Sequence, residues 1–527
     1  MLLKRSWVPV LAVAAPLWLA GCGARTGLHE PPPDAGVEDA PVDVQDVQCI
    51  TDDDCPTADQ CSTSTCVEGT CQPAVLVDCD DHDPCTEDSC APATGQCKHR
   101  DLALDQDGDG YKGPRPGYAP GAPGSCGDDC DDTNPNAHPG GTEICDGVDN
   151  DCNGIVDDNM TYVPSGQGDV RVSGPSKLSE PGGIAYNGKL YGVNYDTKVS
   201  DYYRNYFKGL SATGTTVVSE TPIAKQLDNN VFAGSIAWTG AMFGTAWSDP
   251  RNTDYDIYFN RLDADGKKLG PDLRLTEATG YSLGPDVIWN GSEFLVTWYL
   301  QLTAGGPTIY GQRIGVDGAK LGGVVQLTQP VWFAESPRLA EGISKLGLAF
   351  NMGDANSQQV GFRLLGPDFS SPGSLIQLSK DTGTGPAVVW NGDRYVVVYY
   401  KKKNGVPEDS IWGAAVDEKG KVVTPETRLT AGAKHAETVD VLALGNRLLL
   451  VWADDHDGNY ELYSKMLSAD LKELAPRRRI TKNSSDTLYP IAAFGPNGDV
   501  GVLFWDDRPG SWQTYFTRLV CKAGATP

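Results

Sequence analysis

Short runs of alternating apolar and polar residues, separated by Gly, Asn and Asp turns, fill the chain from about residue 161 to its end. Alternation with a period of two is the mark of a half-buried strand. One such run recurs and ends in glycine: 184-IAYNG-188, 236-IAWTG-240, 287-VIWNG-291, 338-RLAEG-342, 388-VVWNG-392, 441-VLALG-445 and 491-IAAFG-495. Successive glycines lie 52, 51, 51, 50, 53 and 50 residues apart. An aromatic follows seven residues later in five units, at Tyr195, Trp247, Trp298, Tyr399 and Trp452. The fourth unit has Phe350 one position later, and the seventh aligns on Trp505 after a short insertion. A third run carries Tyr206, Tyr258, Tyr310, Phe362, Trp412, Tyr463 and Tyr515. A fourth ends at Leu178, Ile223, Leu275, Leu327, Leu378, Leu429 and Ile480.

Four strands in each of seven units predict an all-β fold, a seven-bladed β-propeller over residues 165–523. The fourth series is offset, because Leu178 precedes the first glycine and no member follows Gly495. The last blade therefore takes its fourth strand from the N-terminal side, at about Arg171–Ser179. That closes the ring and removes two open sheet edges. Six blades plus an irregular unit is the alternative reading.

The first third is different material. Residues 23–160 hold 31 Asp and Glu against 5 Lys and Arg, whereas the remainder is nearly neutral in a chain of net charge −27. Such a polyanion excludes nucleic acid as a partner, since that surface selects basic faces. Lys4 and Arg5 precede an apolar run from Trp7 to Leu19, a secretion signal that is too short to span a membrane. It ends in 19-LAGC-22, which resembles the bacterial lipobox. The resemblance implies a signal peptide over 1–21, acylation at Cys22 and a lipid anchor in the outer membrane, facing the cell surface. Residues 22–48 are rich in Pro and acid and read as a disordered tether.

Fifteen cysteines are present, and removing Cys22 leaves an even number. Export and an even count argue for disulfides. Thirteen lie between Cys49 and Cys152, and the last is Cys521. Either Cys521 pairs back with the N-terminal region, or one cysteine in each part stays reduced. Residues 49–100 carry few apolar side chains, so cross-links must hold them in an irregular stalk. Zinc is the rival reading, but C-x2-C pairs are missing.

Two Asp-rich stretches, 104-LDQDGDGYKG-113 and 145-CDGVDNDCNGIVDD-158, lie in residues 101–160. Asp105, Asp107 and Asp109 alternate, followed by Gly110 and the Tyr111 carbonyl. Asp149, Asp151 and Asn153 repeat the pattern, followed by Gly154 and the Ile155 carbonyl. This is the first half of a calcium loop, in which alternate oxygens converge on one cation and glycine turns the next carbonyl inward. Position twelve is Pro116 or Met160 instead of glutamate, so neither loop is an EF-hand. The missing ligands are expected from the 128-DDCDD-132 cluster, taken at Asp131 and Asp132, in the first site, and from Asp157 or Asp158 in the second. Hard oxygen donors favour a structural Ca²⁺ over copper or zinc.

The pattern DQDGDGY, then DCDD, PGGTEICDGVDNDC and NGIVDD, resembles the metal-binding repeat of MopE-type and many myxobacterial surface proteins. Asn153 stands where that family usually has aspartate. The cysteine units, such as 84-PCTEDSCAPATGQC-97, resemble small cysteine repeats of bacterial surface proteins. The stretches 287-VIWNGSEFLVTW-298 and 309-IYGQRIGVDG-318 resemble repeats of secreted bacterial propellers, which implies a fold and leaves activity open.

No zincin, nucleophile-elbow, P-loop or Asp-box pattern is present, so no catalytic residue is assigned. Asp249 in 247-WSDPR-251, Asp454 in 452-WADDH-456 and Asp507 in 505-WDDRP-509 ring one face as Asx turns. The functional alternative is a ligand rim that includes Arg251 and Arg508. The basic runs 401-KKK-403 and 477-RRR-479 read as solvated edges. The sequence thus points to a monomeric, non-catalytic surface protein whose propeller binds a protein or glycan. The alternatives are a polysaccharide hydrolase or lyase, which would need paired carboxylates at the axial mouth, and metal sequestration.

Overall fold

The structure is a computed structural model, described here for residues 49–57, 59–157, 160–174, 178–225, 229–277, 279–302, 305–353, 357–401, 410–431 and 435–523. The signal peptide, Cys22 and the tether lie outside them, as does Asp158. Two compact units are distinguished, residues 1–81 with 88–99, and residues 82–87 with 100–527.

The first unit is built on cross-links. It holds two pairs of two-residue strands, Ser62–Thr63 with Val75–Leu76 and Cys66–Val67 with Thr70–Cys71. Disulfides Cys49–Cys66, Cys55–Cys71, Cys61–Cys90 and Cys79–Cys97 hold these turns together. Among its described residues the buried apolar side chains are Cys49, Cys55 and Cys61, so the cross-links are themselves the core there.

The second unit contains the propeller. Six blades are continuous four-stranded antiparallel meanders, covering 179–222, 232–274, 281–326, 335–377, 384–428 and 436–479. The seventh takes three strands from 487–523. Its outer edge comes from upstream, where Met160–Pro164 pairs with 519–523 and Val170–Arg171 pairs with Tyr515 and Phe516. Ring closure by an N-terminal strand is as expected, but the strand is not Arg171–Ser179. Tyr515 faces Arg171 just as Tyr258 faces Arg274 and Tyr463 faces Arg479. The buried residue that follows is Val172, so Val172 and not Leu178 is the first member of the fourth series.

Two other alignments shift by one. In blade 7 the core aromatic is Phe504, paired with Tyr515, and Trp505 points the other way. In blade 4, Phe350 faces Gly361, so Phe362 turns to the opposite side of the sheet and packs on Tyr395.

Repeated local chemistry explains the repeated sequence. The Asn187, Asn290 and Asn391 carboxamides accept the N–H groups two and three residues on, shaping the hairpin between inner and second strands. The next residue, at φ +82 in Gly291 and +95 in Gly392, needs glycine. At the other end, hydroxyls of Thr276, Thr328, Ser379, Thr430 and Thr481 accept an N–H near the start of the third strand, at 2.8–3.0 Å. Between blades, Ser235, Asp286 and Asp440 each accept an N–H from the next inner strand, those of Val287, Leu339 and Ala492.

Apolar side chains gather into seven clusters, one at every seam between neighbouring blades. The cluster joining blades 7 and 1 contains Val172, Tyr191, Leu503 and Phe516, so it is filled like the others. Each fully buried aromatic there contributes about 1.5–3 kcal/mol. With seven seams filled, the alternative of six blades plus an irregular unit is set aside.

Candidate metal centre

The Asp-rich segment ahead of the propeller belongs to the same unit. Cys85–Cys126 and Cys130–Cys152 pin it internally, and Cys145–Cys521 ties it to the last strand of the ring. Cys521 therefore pairs back, as one of the two sequence readings allowed.

The two loops share one geometry. In the first, Asp105 accepts the Gly108 and Gly110 N–H groups at 2.7 and 3.2 Å, and Asp109 accepts that of Tyr111. In the second, Asp149 accepts from Asn153 and Gly154 at 3.1 and 2.7 Å, and Asn153 accepts from Ile155. Gly110 and Gly154 sit at φ +98 and +89. Backbone N–H groups thus fix Asp105 and Asp149 through both of their oxygens. Carboxylate oxygens of Asp105, Asp107 and Asp109 lie within 4.8 Å of one another, and so do those of Glu143, Asp149 and Asp151.

The acidic cluster 128–132 meets the first loop at more than one residue. Asp132 spends both oxygens on Gln106, at 2.8 and 2.7 Å. Asp131 accepts the hydroxyl and N–H of its neighbour Thr133. Asp129, fully buried, lies near enough to Asp107 and Asp109 for their charges to act on its carboxyl. One of its oxygens accepts the Asp131 N–H at 2.9 Å, and Oδ2 has no hydrogen-bond partner. Burial, with the nearby Asp109, Asp107 and Asp132 charges, holds its carboxyl above the ordinary range. The Oδ2 atoms of Asp107 and Asp109 are likewise buried without a partner. Each such desolvated carboxylate oxygen, left unsatisfied, is costly unless a cation neutralises it.

In the second loop Glu143 joins the cluster, and its Oε1 accepts the Asp151 N–H at 2.9 Å. Asp157 is buried and accepts the Gly147 N–H at 3.2 Å, on the side of Arg447. His138 is stacked on Tyr111 at 4.5 Å and belongs to neither cluster. The donor sets are therefore carboxylate and carbonyl oxygen, which fits a hard divalent cation. Asp129 and Glu143 stand outside the alternating motifs. The local signal for Asp129 was its place beside Cys130, within a five-residue acidic cluster.

The propeller's conspicuous aspartates are committed internally. Asp249 and Asp454 are fully buried, and each accepts its tryptophan's Nε1–H, Trp247 at 3.2 Å and Trp452 at 3.1 Å. Burial raises the Asp454 carboxyl. Arg251 binds Asp249 and Asp272 and lies 4.0 Å over the Tyr258 ring. In blade 7 the equivalent residue is Asp506, which holds Arg508 together with Asp169. Asp507 accepts the Asp486 N–H at 2.9 Å. These residues bind strands and turns to one another. Arg479 is paired with Asp457 and Glu461, and Lys401 with Glu426. Lys402 and Lys403 lie outside the described residues. Glu180 and Glu335, half-buried on inner strands of blades 1 and 4, are raised by burial and engaged by Tyr203 and Gln358.

Residues 129–158 match the Cu-binding MopE family, described as "Putative metal-binding motif", and residues 78–100 match the Dictyostelium (slime mold) repeat. No curated protein matches. Among solved structures, a protein of unknown function from Dyadobacter fermentans DSM 18053 is similar at 12% identity and TM-score 0.44, covering 69% of this chain and all of that one. Polysaccharide lyase Uly1 gives 8% identity and TM-score 0.46 over 67% of this chain and 98% of its own. The acylaminoacyl peptidase of Pyrococcus horikoshii gives 11% identity and TM-score 0.40, covering 64% of this chain and 51% of that one.

Proposed function

We propose that the chain is a non-catalytic, lipid-anchored cell-surface protein in which a calcium-stabilised acidic segment presents the propeller to a protein or glycan. The unsatisfied Oδ2 atoms of Asp107, Asp109 and Asp129 carry the cation assignment. In the first site Asp105, Asp107, Asp109, Asp129 and the Tyr111 carbonyl would hold the ion. In the second the ligands would be Asp149, Asp151, Asn153, Glu143 and the Ile155 carbonyl. The ion supplies positive charge between carboxylates that otherwise repel one another, and so stiffens a segment with little apolar core. The internal pairing of Asp249, Asp454 and Arg251 supports a structural ring over a catalytic one.

The test is calcium titration of the oxidised full chain by calorimetry, with EGTA and copper as controls. A fragment will not serve, because Cys145 is bonded to Cys521. Two saturable calcium sites are expected, with weak copper binding. Tight copper and no saturable calcium would make metal handling the function instead.

A further inference from the structure

The second loop is gripped by the propeller. Asn446 Nδ2 donates to the Gly154 carbonyl at 3.3 Å, and Arg447, itself 3% exposed, donates to the Val156 carbonyl at 3.1 Å and the Met160 carbonyl at 2.9 Å. Both residues belong to the inner hairpin of blade 6. The two peptides held, at Gly154 and Val156, flank the Ile155 carbonyl, the backbone oxygen that the cation reading of this loop takes as a ligand. Blade 7 closes the other side. Gly498 approaches so tightly that a Cβ there would lie 2.0 Å from the Cys145 carbonyl oxygen. Tyr162 donates its hydroxyl to the Gly498 carbonyl at 2.9 Å. Immediately downstream, Met160–Pro164 is the outer strand that closes the ring. The first loop is tied instead to its own segment, through Gln106 and Asp132.

We propose that the Asp149–Ile155 loop is a cation-operated clasp on the propeller ring, with Arg447 and Asn446 as positioning residues. Blades 6 and 7 preorganise the loop for the ion, and the bound ion in turn holds the closing strand in blade 7. The two effects are one coupling free energy seen from either end. The inference rests on the cation-binding reading of the same loop.

The test uses the oxidised full chain with calcium alone, reading binding by calorimetry and unfolding by tryptophan fluorescence. Calcium should raise the melting temperature of the propeller, where ten of the twelve tryptophans lie. Asp149→Asn should remove that rise, while Asp107→Asn, in the first loop, should leave it. Arg447→Lys and Asn446→Ala should each weaken one calcium site roughly tenfold, the scale of outer-shell substitutions at metal sites. The exposed Asn446 keeps the test open if Arg447→Lys folds poorly. Calcium binding with no shift in propeller unfolding, or wild-type calcium affinity in a folded Asn446→Ala and Arg447→Lys, would overturn the clasp and leave cation binding standing. Absence of calcium binding in the wild-type chain would overturn both.

Discussion

Asp249 illustrates how a charged residue can be prominent in sequence and silent at the surface. Its carboxylate takes the Trp247 Nε1–H, the Arg251 N–H and the Arg251 guanidinium, all in a fully buried position. Removing it leaves a largely buried guanidinium with Asp272 as its remaining carboxylate. Asp249→Ala is therefore expected to lower unfolding free energy by about 3 kcal/mol in urea titrations. A variant of wild-type stability would restore the rim reading. Asp129 is the converse case. Nothing in its spacing distinguished it from Asp131 and Asp132. What sets it apart is burial and proximity to the first loop, properties of the folded chain alone.

At the scale of strands and hairpins, most of the propeller could be read directly. The Asn–Gly turns and core aromatics recur because each blade needs the same left-handed hairpin residue and the same seam filler. The errors have physical reasons. Leu178 looked like a fourth-strand residue because it opens a Leu–Ser step like Leu378–Ser379, although it lies only 45 residues before Ile223 where later members are 51 or 52 apart. The true pairing strand, Val170–Arg171, is only two residues long and leaves no alternation to detect. Trp505 outranked Phe504 by size, although an insertion had shifted the register. The hydroxyls that finish each third strand were also hidden, since Thr and Ser are common in any strand. Thr276 both accepts the Ile257 N–H and donates to Asp256. Thr276→Val should lower stability by about 1–3 kcal/mol, the cost of stranding a buried N–H. Thr276→Ser should recover most of it, as measured by thermal and urea unfolding.

Across the whole molecule, the disulfide between Cys145 and Cys521 encloses 376 residues. A loop this long gives cross-linking its greatest entropic effect on the unfolded chain. Replacing both cysteines by serine should cost up to about 5 kcal/mol in denaturant unfolding, while the ring, with all seven seams filled, still forms. A loss of circular dichroism under native conditions in that variant would mean the bond is needed for closure itself.

The placement of that bond has a mechanical consequence. Cys521 sits opposite Tyr162 in the pairing of blade 7 with its closing strand. A pull on the N-terminal side of Cys145 would otherwise run down the backbone to Met160 and peel the strand away one hydrogen bond at a time. The disulfide short-circuits that route and delivers the load to the last strand of the ring, leaving Met160–Pro164 slack. Tension applied upstream is thus borne by a covalent bond, and the weakest edge of the propeller is spared.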